Sequence, residues 1–359
     1  MSADLSERDV ALLGGLVAIP SVSRNEADAV EWLVARMAER GFRASVDPAG
    51  NAVGEIGEGP VHVVLLGHID TVPGDIPVRI EAGELVGRGA VDAKGPLAAF
   101  VAAATLPPAG VRITVVGAVE EESPTSKGAR YRATLPAPDW CVIGEPSGWD
   151  GVTVGYKGRL ILGLSLSREA RHGAAPGPTC AEEALALWTT IVAAAEARTP
   201  AARGFLHLDC RLEGIQARAG DGLTERAELR VGYRIPPGIP VAQLVSEMRD
   251  LAEEHRGDAE VTVDTVATEE PARTPRSTTL ARAFAGAIAG AGGQAAFRVK
   301  SGTSDMNVLL PAWGSPMVAY GPGDARYDHT PMERLGLADY GRAIVVLRGV
   351  LERAAKQVR

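Results

Sequence analysis

The 359-residue chain carries 45 acidic side chains against 37 Lys and Arg, a net charge of −8, and 46% of its residues are hydrophobic. That is the make-up of a globular protein long enough for two domains, and its acidic balance speaks against nonspecific nucleic-acid binding. No apolar run approaches the roughly 18 residues of a membrane span, MSADLSERDV has no signal-peptide character, and Cys141, Cys180 and Cys210 form no CxxC pair, so they read as reduced core thiols of a cytoplasmic protein.

Apolar residues at three- and four-residue spacing predict helices over 6–17 and 26–40, the second ended by Gly41. Short strands at 43–46 and 52–56 flank a DPAGN turn. The run Val61–Leu66 reads as a buried strand, followed at once by His68 and Asp70, and Asp92 comes next between two Gly-containing turns. Small apolar residues predict a helix over 96–106. Strand 111–119 ends in Glu120-Glu121-Glu122, and strand 140–143 ends in Gly144-Glu145-Pro146-Ser147. Apolar strands alternate with helices, and each delivers an acid or a His at its C-terminal end. The pattern predicts an α/β domain with a mostly parallel central sheet flanked by helices and its sites along that edge.

After Val154 the texture changes. Strand 158–166, helix 179–197 with Trp188 on its apolar face, strands 204–212 and 223–234, helix 241–255 and strand 259–266 follow in βαββαβ order. That is the split, ferredoxin-like α+β arrangement, with a hairpin at 216–222. The Pro-punctuated stretch 268–277 leads back to helix 279–291, strand 296–300, strand 316–320, His329 and a final helix 337–356. The expected organisation is therefore one domain built from 1–154 and 269–359, with 155–268 inserted.

His68, Asp70, Asp92, Glu121, Glu122, Glu145 and His329 are the chemical candidates. Each has an ordinary explanation alone: HxD is most often a polar turn, the acidic run a solvated loop, Glu145 an acid favoured at a helix N-terminus. Together, two His and three carboxylates suit a pair of divalent cations, one carboxylate bridging them. Asp70 is placed to accept the other N–H of His68 and fix its tautomer. Neighbouring side chains diverge, so one acid of the run can bind metal while the next serves as general base. Which of Glu120, Glu121 and Glu122 does which stays open at this level.

The motifs GHIDTVP, GRGAVDAKG, AVEEES, IGEPS, RHGAAPGPTCAEEAL, YRIPPG, KSGTSDMN and HTPMER together resemble the M20 family of metallo-aminoacylases and peptidases over essentially the full length. The resemblance implies a zinc-peptidase-like catalytic domain with two metal ions, Zn2+ foremost, with Co2+ and Mn2+ also suited to such ligands. By position, His68 and Glu145 would hold one ion, Glu122 and His329 the other, and Asp92 would bridge. Asp70 would orient His68 and Glu121 would be the base. The inserted segment would be a lid that also forms a homodimer. Its His172 would stabilise an oxyanion, often in the partner subunit's site, and Arg234 would bind a substrate carboxylate. The plain alternatives are an exposed loop histidine and an internal ion pair. Gly302 and Thr303 would contact substrate, and the Asp92–Ala93 peptide would be cis. His62, His207 and His255 match no motif and read as structural.

The compact stretch from His68 to Asp92, with DAKG in place of the frequent DMKG, most resembles the lysine-releasing hydrolases of the amino-carrier-protein route. These cleave the amide joining lysine to the γ-carboxyl of the carrier's C-terminal glutamate, and some also release ornithine. The alternatives are acetylornithine deacetylase, succinyl-diaminopimelate desuccinylase or a dipeptidase acting on a free small substrate, and, in another class, a non-catalytic metal-dependent binding module. The acidic run Glu120–Glu122 argues against the last. An acidic carrier favours a basic approach surface, yet the arginines from Arg159 to Arg256 are interleaved with acids and form no stripe.

Overall fold

The computed structural model describes residues 5–172, 174–218 and 222–356. The chain forms two compact units. One holds the chain up to Gly155, Thr274–Val299 and everything from Ser304; the other holds Tyr156–Arg273 and Lys300–Thr303.

The first unit is a sheet with strands in the order Arg43–Val46, Ala52–Ile56, Val111–Ala118, Val61–His68, Trp140–Gly144, Met317–Ala319 and Gly151–Tyr156, with Ala296–Lys300 also paired to the last of these. Val61–His68 runs parallel to both its neighbours, and Met317–Ala319 runs parallel to Trp140–Gly144. The edges are antiparallel. The centre is thus the parallel sheet that the buried apolar runs called for. Parallel strands covered on both faces have no need of polar alternation, and seven of the eight residues in Val61–His68 are buried.

One covering helix, Lys94–Ala104, is buried along its whole length. It can lie close because the three central strands carry Gly67, Gly117 and Gly144 at one height. A Cβ on Gly67 would stand 3.3 Å from the Leu97 side chain, and one on Gly144 would stand 2.9 Å from the Phe100 ring. This glycine row sits one residue before His68, Ala118 and Glu145, so it levels the strand ends from which the site rises. The pairs of short strands Arg79–Glu81 and Glu84–Val86, the helices Lys127–Ala133 and Met306–Trp313 and the strand Gly151–Tyr156 were not anticipated. Apart from Gly151–Tyr156, which is buried throughout, they are short or exposed, or, in Met306–Trp313, contain a proline, Pro311.

The second unit is a four-stranded antiparallel sheet in the order Asp209–Arg218, Thr224–Ile235, Gly158–Glu169, Glu260–Glu269. Helices Cys180–Arg198 and Val241–His255 pack on one face through Leu187, Ile191, Leu244 and Met248. Thr179 opens the first helix with a full capping box to Glu182. Two expectations shift here. The strand read at 204–212 begins only at Asp209, after a 3-10 turn at Gly204–Leu206, and runs on to Arg218. Its solvated outer residues hid the alternation. The last strand continues to Glu269 past a register shift between Thr265 and Ala267, so the return linker is shorter than 268–277. The tip of the hairpin expected at 216–222 lies outside the described residues.

Candidate metal centre

At the C-terminal edge of the parallel strands, side chains from five separate segments converge. His68 ends its strand with its ring buried, and its Nε2 lies 3.1 Å from Asp92 Oδ1. His329, half exposed and at a positive φ of 58°, brings its Nε2 to 3.1 Å from Asp92 Oδ2 and 2.8 Å from Glu122 Oε1. One carboxylate therefore faces two imidazoles, one through each oxygen. Potential ligand atoms of His68, Asp92 and Glu145 lie within 4.8 Å of one another, and so do those of Asp92, Glu122 and His329. A third such group is His68, Glu121 and Glu122. The Asp92–Ala93 peptide bond is cis.

Asp70 differs in detail from its expected part. The Nδ1–H of His68 donates to the main-chain carbonyl of Asp70 at 3.0 Å, while the carboxylate stands back at 3.6 Å. That carboxylate accepts instead from Ser23 Oγ at 2.6 Å and from the main-chain N–H groups of Glu121 and Glu122, at 3.1 and 3.0 Å. Asp70 thus steers the imidazole through its backbone and the acidic loop through its side chain. Glu120 points elsewhere: its carboxylate accepts from Thr125 Oγ1 at 2.6 Å, and Lys127 lies 3.8 Å away.

The charges show what the arrangement is poised to hold. Hydrogen bonds to Asp92 and then Glu122 lift His329 to a pKa of about 10. Burial works against a charged His68, but Asp70 and Asp92 outweigh it and raise its pKa. Burial opposes the charged form of Asp92 too, yet the two imidazoles win and depress its pKa. Cations are what this carboxylate cluster stabilises, and neutral imidazole with carboxylate oxygen is a donor set for first-row divalent metals. Glu121 is different. Burial, with Asp305, Glu145 and Glu122 beside it, pushes its pKa well above the carboxylate range against the pull of His68.

Residues 64–353 match peptidase family M20/M25/M40. The chain belongs to this family. It is 45% identical over 351 residues to a LysW-lysine hydrolase of Deinococcus radiodurans, covering 95% of this chain and 96% of that one. It is 40% identical over 360 residues to a putative LysW-lysine/LysW-ornithine hydrolase of Thermococcus kodakarensis, covering 98% and 96%. An M20 family metallo-carboxypeptidase of Sulfolobus solfataricus superposes with a TM-score of 0.78 at 16% identity, covering 98% of this chain and all of that one, a likeness of fold. This M20 chain is an enzyme that hydrolyses amide bonds.

The remaining candidates of the M20 resemblance lie in the second unit. His172 is exposed, and its Nδ1 accepts from the Ala174 N–H at 3.2 Å. Arg234 stands near the end of strand Thr224–Ile235, opposite Arg159 and Asp209. Arg159 pairs with Glu269 through two hydrogen bonds of 2.7 and 2.9 Å, whereas Arg234 keeps a buried Nη1 without a hydrogen-bond partner among the described residues. Burial, with Arg159 beside it, lowers its pKa. Gly302 is exposed and Thr303 partly so. His62, His207 and His255 hydrogen-bond within their own units, to Thr114, Asp209 and Thr190.

Glu26 and Glu333, like Asp305 beside Glu121, are buried carboxylates near the centre that escaped the sequence reading. Glu26 Oε1 accepts from the main-chain N–H groups of Arg24 and Glu120, at 2.8 and 3.1 Å. Glu333 does the same for Val91 and Asp92. Glu333 lies inside the HTPMER motif, which was the one signal available for it.

Proposed function

We propose that this protein is a two-metal amide hydrolase that frees L-lysine, and also L-ornithine, from the C-terminal γ-glutamyl group of an acidic amino-group carrier protein in the cytoplasm, serving lysine and arginine biosynthesis. The observation that carries the reading is Asp92, whose two oxygens each face a different imidazole, each pair completed by a further glutamate. His68 with Glu145 and His329 with Glu122 would hold the two ions, Zn2+ foremost, with Asp92 between them. The ions, when bound, supply Lewis acidity toward the amide carbonyl and acidify a water.

The chain's own residues supply the rest. Glu121 takes the water's proton on its carboxylate and returns it to the leaving α-amino nitrogen. A carboxylate with a raised pKa suits both halves of that transfer. Asp70 holds the Glu121 and Glu122 main chain in register for it. Arg234, with a buried guanidinium N–H to satisfy, takes the free carboxylate of the lysyl group. Gly302 and Thr303 lie against the substrate. His172 stabilises the oxyanion, and the second unit acts as lid and as the homodimer surface. The relatives' names support the carrier-linked substrate.

The test compares hydrolysis of carrier–lysine, carrier–ornithine, N-acetylornithine and a dipeptide by the metal-loaded enzyme. The reading expects the two carrier adducts to be turned over far faster than the free compounds; equal turnover of N-acetylornithine sinks it. Glu121→Gln is expected to lower kcat on the order of 10²- to 10⁴-fold with metal content unchanged. Loss of metal would instead move Glu121 among the ligands.

A further inference from the structure

A buried carboxylate persists only where hydrogen bonds and a counter-charge repay its lost hydration. Glu333 is fully buried. Its Oε1 accepts the main-chain N–H groups of Val91 and Asp92, each at 3.0 Å, and its Oε2 pairs with Arg88 Nη1 at 2.8 Å. Backbone pairing places it there. Strand Arg334–Gly336 runs antiparallel to Glu84–Val86 with Arg334 opposite Val86, and the Gly87 N–H extends the ladder by one step to the Glu333 carbonyl at 3.3 Å.

Arg88 is pinned in turn. Its Nε donates to the Gly74 carbonyl at 3.0 Å and its Nη1 to the Thr330 carbonyl at 3.2 Å. Thr330 follows His329 directly. One ion pair therefore grips the main chain on both sides of the contact between Asp92 and His329: the N–H of the first and the carbonyl after the second.

We propose that Glu333, fixed by Arg88, is a positioning residue that sets the aim of the Asp92 carboxylate and its separation from His329, and with them the affinity of the metal pair. The inference rests on the reading of Asp92 as the bridge. A pair that merely stabilised the fold would leave metal binding untouched once the protein was folded.

Glu333→Gln separates the two. An amide that turns its oxygen to the two N–H groups must turn its NH2 onto Arg88, donor against donor, and in the reverse orientation both N–H contacts are lost. The chelated protein is titrated with Co2+, followed by calorimetry and by the visible spectrum, with a thermal melt of the same metal-free sample as the control for folding. Wild type is expected to take two ions per chain. Glu333→Gln is expected to bind about 10- to 100-fold more weakly, the range usual for groups that orient metal ligands, with displaced visible bands. Arg88→Lys, which keeps the charge but not the fork, should fall between. Wild-type affinity and spectrum in Glu333→Gln overturn the proposal, even if its melt drops. Should Glu333→Gln not fold, the same result in Arg88→Lys overturns it. Uptake of fewer than two ions by wild type removes the bridge, and this proposal with it.

Discussion

His62 and His68 stand on one strand, and their surroundings move their pKa values in opposite directions. His68 has carboxylates on both sides. His62 has Thr114, at 2.9 Å from its Nε2, and burial, with Arg112 beside it, holds its pKa down at about 4 from an ordinary 6.5. The unfolded chain takes up that proton near 6.5 and the folded chain only near 4, so protonation favours unfolding. Stability owed to the neutral ring is complete above pH 6.5 and is lost as pH falls toward 4. His62→Gln keeps a hydrogen-bonding partner for Thr114 and removes the titration. Urea unfolding of chelated wild type and variant at pH 7.5 and pH 5 should show the variant losing less stability over that interval. An equal loss would mean that His62 is solvated in the folded state. The same logic explains what the sequence could not show about the centre. His68 and Glu145 stand out because they close apolar strands, and Asp92 and His329 because they lie in short motifs, with residue types suited to a divalent metal. Glu26 and Glu333 accept main-chain N–H groups, a task with no characteristic spacing, so nothing in their own residue type singles them out.

At the scale of elements, the glycine row carries a stability argument. Gly144 faces Gly67 across two parallel strands and the Phe100 ring above. A Cβ there would stand 2.8 Å from the Gly67 Cα and 2.9 Å from Phe100. The Gly67 backbone cannot give way without moving His68, one residue on. Gly144→Ala should therefore cost about 1–3 kcal/mol by overpacking, read as a lowered urea midpoint at unchanged slope, and should weaken Co2+ uptake as well. A stability loss with unaltered metal binding would show that the strand ends absorb the strain. The row was written in the chain as LLGH, VVGA and VIGE: Gly67 and Gly117 stand one residue before the last of their strands, and Gly144 ends its own, directly before Glu145. Central strands were legible because burial on both faces forces continuous apolar runs. The Val241–His255 helix was legible because only one of its faces is buried, which gives it a clean period. Three-residue strands such as Arg79–Glu81, exposed throughout, have neither signature. Their pairing depends on the partner strand and not on their own residues. The strand read at 204–212 was placed too early for a related reason: the bulge between Leu212 and Gly214 breaks the alternation that would have carried it on to Arg218.

Across the whole molecule, all the candidate ligands belong to the unit that contains the parallel sheet, and none comes from Tyr156–Arg273. Each unit has its own apolar core, one around Leu65, Phe100 and Val115, the other around Leu162, Leu187 and Val231. A metal that binds the folded centre and not the unfolded chain would add stability where the candidate ligands are: about 2.7 kcal/mol when free metal stands at 100 times its Kd. Without it, the Asp92 carboxylate stands close to Glu145 on one side and Glu122 on the other, and the loops that carry them are expected to open more readily. Hydrogen exchange on the full-length protein, with and without chelator, reads this locally. Exchange should accelerate on chelation in peptides spanning 64–95, 118–125 and 325–336, which carry His68, Asp92, the acidic loop and His329. Peptides from 158–218 and 224–269 should keep their rates, because nothing in that sheet or its helices answers to the metal. Equal acceleration in both units would mean that the two open together and that the centre has no stability of its own. No change in the first set would mean that these side chains converge without holding a cation.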